Sequence, residues 1–437
     1  MTGLLTTSGS QFQDWTASYR LFSKDRLPVP EIFSVVRRAI ADQLPDGAPF
    51  HAVLDDTLLR RAGLRTPGVA WRRDPLGPRF QTNFVRGQRF VQISGAMPGH
   101  NGAFRLAPIA FIHAPTPTKP KHSATAAQTA QYRRDSAAAR VSLRGAQQVT
   151  QLRQSLDLDP GGAARPLFVA FDGGYTNSTV LKQLPPRTIA IGRLRKDAKL
   201  YRMPEPAPGK STGRPRRYGV RAPTPEQLRT DAATPWETIT FAHSGLSHAL
   251  RFKRMSNLLW RPGGVDKLLQ LIVIAPLAYR LRKGSKLLYR DPAFLLCTDP
   301  QLDPRQVIES YFQRWDIEVN FRDEKTLLGA GQAQVRNAVS VESAPALAVA
   351  AYGLLLVSGQ LAFGTSRDGL LPPPKWAAAS QGPRTSTQQL LHQIRAEVWG
   401  HGLGLDTFSG FVAKSTPTTK PDKPSFSLAS AVCYANA

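Results

Sequence analysis

Cysteine is almost missing from this chain of 437 residues: Cys297 and Cys433 are the two it has. No disulfide framework and no clustered thiolate site for zinc can be built from them, which suits a reducing interior. The eight histidines show no H-x-x-x-H or other paired ligand spacing, so they offer no zinc site either. Long apolar runs are scarce as well. One charge-free stretch, Ala344–Phe363, approaches the length of a membrane span, but Pro345, Gly353, Ser358, Gly359 and Gln360 interrupt it. No second candidate exists, and it reads as a buried core helix. The first residues, MTGLLTTSGSQFQDW, lack the basic-then-apolar layout of a signal peptide. The sequence contains no internal repeat.

Acidic residues are scarce in a more telling way. There are 31 Asp and Glu against 57 Lys and Arg, a net charge of +26, with a pI near 10.7. Such a surplus favours a polyanionic partner, because each phosphate neutralised releases condensed counterions. What is present besides charge is ordinary: 41% apolar residues, enough at this length for a sizeable core and two or three domains.

The chain divides by composition. Residues 1–48 read as short helices, Trp15–Phe22 and Ile32–Leu44, in a helical N-terminal region suited to DNA binding. Residues 49–194 begin with strand-like runs at Phe50–Leu54, Phe80–Val85, Arg89–Ser94 and Ala107–His113, between Gly/Pro turns. A helical stretch, Ala124–Leu156, follows, then a strand at Leu167–Phe171, a short helix near Asn177–Leu184 and a strand at Arg187–Leu194. Strands alternating with helices after a meander indicate an α/β sheet. Residues 195–300 form a basic, β-rich insertion ending in two β-like runs, Leu268–Ala278 and Leu287–Thr298. Residues 301–368 hold a helix at Pro304–Leu328, with Asp303 as N-cap, Pro304 in the first turn and Gly329 past its end. The apolar helix follows. Residues 369–437 turn to Pro, Ser, Thr and Lys and read as a partly flexible C-terminal region, with a mobile tail at 414–425.

Three carboxylates stand where chemistry would want them. In FHAVLDDTLL an apolar run ends in Asp55-Asp56-Thr57, and in PLFVAFDGGYTN another ends in Asp172 and two glycines. An acid at the carboxyl end of a buried strand is held by the core yet open to solvent, at the rim where α/β sheets bind ligands. Alternatively, each Asp simply caps a turn. Neighbours on a strand point to opposite faces, so one of Asp55 and Asp56 is the candidate ligand and the other caps a turn or supports it.

The third acid lies on the helix Pro304–Leu328, in YFQRWDIEVNFRDEK. At about 100° per residue, Arg314 lies near −60°, Glu318 near −20° and Lys325 near −40° from Tyr311. All four share one stripe, beside an apolar stripe of Ile308, Phe312, Trp315 and Val319 that would dock the helix to the sheet. A solvated face of mixed charge would also read this way. Equally, one carboxylate flanked by Arg and Lys is built to hold a metal while the cations grip DNA phosphates.

Tyr, two residues, Arg, three residues, Glu, six residues, Lys resembles the Y-R-E-K signature of bacterial insertion-sequence DDE transposases. The longer run through Trp315, Ile317 and Phe321 is similar too. Asp55-Asp56-Thr57 resembles the family's first-acid motif, which favours Asp55, and Asp172-Gly173-Gly174-Tyr175 resembles its second. Separations of 117 and 146 residues between the acids suit an RNase H-like (retroviral-integrase-like) catalytic core with a β-rich insertion before the last acidic helix. The resemblance covers roughly residues 50–365. It implies a cut-and-paste transposase: Asp55, Asp172 and Glu318 holding two Mg²⁺ ions (Mn²⁺ able to substitute), Tyr311, Arg314 and Lys325 on the terminal phosphates, a homodimer on double-stranded DNA, and a cytoplasmic, nucleoid-associated location. A nuclease that cuts without strand transfer, or a DNA-binding relic, are the alternatives.

From Arg187 to Arg217 ten Lys and Arg face only Asp197 and Glu205. The segment GRPRRYG, with Arg214, Arg216 and Arg217, can lie along phosphates or in a minor groove. The family often carries such a segment here; a solvated linker is the other reading. Trp260 is open to two readings, a stacking surface for an extruded base or a buried packing residue.

Overall fold

The computed structural model describes residues 12, 14, 16–99, 104–205, 216–365 and 384–402, except 25, 62, 64, 65, 75, 76, 79, 244, 245 and 283. Trp15, Arg214, Cys433 and the tail at 414–425 lie outside the described residues.

Two helices open the fold, α1 (Thr16–Ser23) and α2 (Val29–Ala41). In α2, Val29, Phe33, Val36 and Ile40 recur at helical spacing and are buried, which lays one face on the sheet. Strand β1 (Phe50–Arg60) follows, then β2 (Ala70–Arg73), β3 (Phe84–Met97) and β4 (Arg105–His113). Two helices, α3 (Ala126–Ala138) and α4 (Val141–Leu158), cross to β5 (Leu167–Phe171), and a short α5 (Ser178–Leu181) leads to β6 (Thr188–Arg193). β3 pairs antiparallel with β1, β2 and β4, whereas β5 lies parallel to both β1 and β6.

The segment that reads as an insertion contributes β7 (Leu200–Tyr201), α6 (Pro225–Thr230), β8 (Glu237–His243), β9 (Leu246–Trp260), β10 (Gly264–Ile274), a small hairpin of β11 (Ala278–Tyr279) with β12 (Leu288–Tyr289), and β13 (Ala293–Cys297). Apart from the two-stranded β11–β12 hairpin, its strands do not build a sheet of their own. β13 pairs with β6, β10 with β13 and β9 with β10, so one mixed sheet of eleven strands runs β2-β3-β1-β5-β6-β13-β10-β9-β7, with β4 on β3 and β8 on β9. The architecture is therefore mixed α/β around one large sheet. Buried Lys253, in the middle of β9, donates to the carbonyls of Leu228, Arg229 and Asp231 and fastens the end of α6 to this half. Trp260 is half-buried and packs against the core.

The helix expected at Pro304–Leu328 is two: α7 (Pro304–Gln313), capped by the Asp303 carboxylate accepting from the Arg305 N–H, and α8 (Asp316–Thr326). Of the run Phe80–Val85 only Phe84 and Val85 are strand, and they join Arg89–Ser94 in one long β3, because Gly87 and Gln88 sit in the ladder rather than in a turn. α9 (Ala338–Phe363) contains the charge-free stretch and is long and apolar enough to cross a membrane by length and composition. It buries Val349, Ala350, Tyr352 and Leu356, and packs on β4 and α2. α10 (Thr387–Gly402) closes against it.

The sheet has two covered faces. Phe50, Ala52 and Leu54 point toward a core shared with α2 and α4. Val53 and Ala170 point the other way, onto Ile317 and Phe321 of α8.

Candidate active site

β1 does not stop at Asp55. The strand runs on to Arg60 against β3, and what stops at Leu54 is its pairing with β5, whose last registered pair is Leu54↔Phe171. Asp55 and Asp172 each follow that pair, so they leave two neighbouring parallel strands at one level. Asp172 is exposed and its carboxylate accepts the Gly173 N–H at 2.6 Å. Asp55 is partly buried, with 20% of its side chain exposed. Its carboxyl is pushed up to about 7, chiefly by burial; the Asp56 N–H and Arg314 pull against this while the Asp56 and Asp172 charges add to it. Asp56 turns to the opposite face, where it accepts the Tyr175 hydroxyl at 3.0 Å and pairs with Arg89 at 3.3 Å.

Glu318 comes from α8. Between α7 and α8 the chain tightens: the N–H groups of Arg314, Trp315, Ile317 and Glu318 bond to carbonyls three residues back, as in a 3₁₀ turn. The tighter winding turns α8 further round than a continuous α-helix would. Trp315, expected to dock, is instead 59% exposed, and Ile317 with Phe321 docks in its place. Arg314 is buried at the break and reaches both acids, 3.6 Å from Asp55 and 3.7 Å from Glu318. Its guanidinium also lies over the rings of Tyr311 and Trp315, at 5.7 and 5.4 Å. Neither carboxylate is at hydrogen-bonding distance, and the buried Arg314 Nε has no partner. The Tyr311 hydroxyl is held above its usual pKa by burial, against the pull of Arg314 and Arg193.

Lys325 is separate from this group. Its ammonium lies 5.8 Å over the Phe321 ring, and burial lowers its pKa, opposed by Glu324 and assisted by Arg60. Arg216 and Arg217 are exposed and lead into the segment at Val220–Ala222 that runs along β7. That strand is the edge of the sheet, beyond β13, β10 and β9 from β6, so the basic segment and the carboxylates occupy different parts of the molecule.

The model of the DDE superfamily endonuclease family matches residues 5–251, more than half of the chain. The chain belongs to that family. No curated protein matches it. The matched span of this DDE endonuclease contains Asp55 and Asp172 and ends before Glu318.

As a metal site the donor set fits a hard cation: carboxylate oxygens from three elements, and no sulfur or imidazole among them. The burial that lifts Asp55 is what an added cation would offset. As they stand, no three acidic, His or Cys side chains among the described residues are close enough to cage an ion. The Arg314 guanidinium is what lies between two of the acids.

Other polar groups beneath the site escape a reading by motif. Gln92 sits directly across from Asp55 in the β1–β3 register and is fully buried. Its amide donates to Ser94 and to Glu324 at 2.9 Å, and Ser94 donates to Asn320. Burial pushes the Glu324 carboxyl up to about 8, with the Gln92 hydrogen bond and Lys325 opposing. Further along, Asp316 accepts the Leu106 N–H and pairs with Arg384, and Asp323 accepts from Thr387. The one hint in the sequence is Gln92 and Ser94 alternating with Val91 and Ile93 in the otherwise apolar part of β3, Phe90–Met97.

Proposed function

We propose that this DDE endonuclease is a DNA transposase with an RNase H-like core, in which Asp55, Asp172 and Glu318 form the catalytic set. The observation that carries the reading is Arg314, ion-paired to both Asp55 and Glu318, because it joins a carboxylate of β1 to one of α8. The strand order supports it: β4, β3, β1, β5 and β6 lie side by side with the first three antiparallel and the last three parallel.

Asp55, Asp172 and Glu318 would hold two Mg²⁺ ions, or Mn²⁺. Bound there, such a pair activates the attacking oxygen and stabilises the leaving one in an in-line displacement. The protein's own groups do the rest. Arg314, with its unpartnered Nε, is placed to exchange the carboxylates for a phosphate oxygen. Tyr311 orients that guanidinium through its ring, and Lys325 and the Arg214–Arg217 segment bind more distant phosphates. Water attacking phosphorus breaks the bond to the 3′ oxygen, and the freed 3′-hydroxyl then attacks a phosphodiester of the target strand, forming a new P–O bond as the target's own 3′ oxygen leaves with the proton. Two ends cut together call for a homodimer on double-stranded DNA, in the cytoplasm beside the nucleoid. The family description, an endonuclease, also favours a second reading in which cleavage occurs without joining.

The test is a labelled duplex bearing the sequences that flank this gene, incubated with Mg²⁺ and wild type or Glu318→Gln. Cleavage and 3′-end joining by wild type, both lost in the variant, support transposition. Cleavage without joining selects the nuclease. Equal products from both proteins sink the three-carboxylate site.

A further inference from the structure

The β2–β3 hairpin carries a surface that neither the motifs nor the proposed chemistry uses. Residues 60–89 contain eight arginines and one acid, Asp74, and that acid is paired with Arg60 at 2.9 Å. Three aromatic residues at the paired ends of β2 and β3 face water: Trp71 is 69% exposed, Phe84 58% and Phe80, in the connection, 92%. The register sets Trp71 opposite Arg86 and Arg73 opposite Phe84. Cross-strand partners share a face, and so do residues two apart along a strand. The four side chains therefore tile one face as a checkerboard of two rings and two guanidiniums.

That face is the one Asp55 uses. The β1–β3 register runs without a shift from Ala52↔Gly95 through Asp55↔Gln92 to Arg60↔Gly87. Gln92, Phe90, Gln88, Arg86 and Phe84 alternate on a single side, the side Asp55 and α8 share. Arg86 lies six residues from Gln92, about 20 Å along the strand at ~3.4 Å per residue. Between the two, Phe90 and Gln88 are buried beneath the segment at 330–333, which Arg61 fastens through the Gly331 and Ala333 carbonyls, so a strand leaving the carboxylates toward this edge crosses that segment before it reaches the tile.

Resting on the transposase or nuclease reading above, we infer that the Trp71–Arg73–Phe84–Arg86 face binds an unpaired stretch of the DNA strand adjacent to the bond being cut. Rings open to water on a face interleaved with guanidiniums match the alternation of bases and phosphates in a single strand: bases stack on aromatic faces whatever their sequence, and Arg neutralises the backbone between them. A basic protein partner would be repelled by the guanidiniums, whereas a polyanion is drawn to them. Fully paired DNA offers its phosphates but no base faces.

The test compares binding, by fluorescence anisotropy in EDTA, of a blunt duplex and the same duplex with a single-stranded thymidine tail. The readout is the ratio of the two affinities within each protein. Wild type is expected to prefer the tailed duplex by about tenfold or more, the scale of one or two base–aromatic stacks. Trp71→Ala/Phe84→Ala should bring the ratio close to one, and Trp71→Tyr/Phe84→Tyr should restore it. A ratio of one in wild type, or an unchanged ratio in the double alanine variant, overturns the inference. So does loss of the ratio together with a dimer becoming a monomer in sedimentation, which would mark a self-association face. The parent reading fails separately, if wild type shows the preference but Glu318→Gln cuts as well as it does.

Discussion

Burial of carboxyl groups governs the site at the scale of single residues. Asp55 and Glu324 are raised to about 7 and about 8, both chiefly by burial. In the unfolded chain each releases its proton near the ordinary value of about 4, so between that pH and the raised value the folded state holds the extra proton. Stability therefore falls as pH rises through this window. Thermal melting should show a lower Tm at pH 8 than at pH 5, and Glu324→Gln should flatten that dependence because its amide keeps the Gln92 contact without a charge to bury. A steeper dependence in the variant would contradict the assignment. Gly145 offers a second residue-scale prediction. A Cβ there would meet the Tyr175 ring at 2.6 Å, and Tyr175 anchors both Asp56 and the turn that starts at Asp172. Gly145→Ala should slow cleavage about 10–100-fold, as loss of an outer partner of a metal ligand does, with DNA affinity retained. Asp55, Asp172, Arg314 and Glu318 stood out in the sequence as candidates because they belong to short motifs with fixed spacing. Glu324 did not, since a carboxyl beside Arg322, Asp323 and Lys325 looks like surface until the fold buries it.

Secondary structure elements were legible to different depths. β5 occupies Leu167–Phe171 and β4 nearly Ala107–His113, because uninterrupted apolar runs with sharp ends leave one reading. The α7–α8 break left no Pro or Gly in the sequence to announce it, and the helical stripe drawn through it misplaced Trp315. Asp55, Glu318 and Arg314 still come together, since a tightening at Arg314–Trp315 turns Glu318 by a fraction of a turn and leaves it on the same side. Packing between elements can be tested at Gly353, where α9 crosses β4 and α2. A Cβ would lie 2.8 Å from the Pro108 carbonyl oxygen and 3.2 Å from Val36. Gly→Ala inside a helix gains about 1 kcal/mol from backbone entropy, whereas overpacking costs about 1–3 kcal/mol. With a backbone carbonyl as the obstacle the cost should win, and urea denaturation of Gly353→Ala should give a lower midpoint. A higher midpoint would show that α9 can shift away from the sheet.

Across the whole molecule, charge was readable from composition and topology was not. The strands within 195–300 extend the main sheet through the β13–β6 ladder. Strand order depends on partners far apart in sequence, and no local pattern of Leu287–Thr298 specifies that it lies beside Arg187–Leu194. A net charge of +26 predicts that DNA affinity falls linearly with salt on logarithmic axes, by about 0.9 decade per decade of salt for each phosphate contacted. Binding titrations at several NaCl concentrations read that slope, and a flat line would remove phosphate contact from the account.

The most direct test of the central claim compares Mg²⁺-dependent cleavage by Asp55→Asn and Asp56→Asn. The two acids are neighbours of the same chemistry on opposite faces of one strand, one beside Arg314 and the other against Tyr175 and Arg89. Asp55→Asn should abolish cleavage while still binding DNA, and Asp56→Asn should leave a slower but measurable rate. Cleavage that survives Asp55→Asn and disappears in Asp56→Asn would place the chemistry on the other face of the sheet and contradict the assignment of Asp55, Asp172 and Glu318.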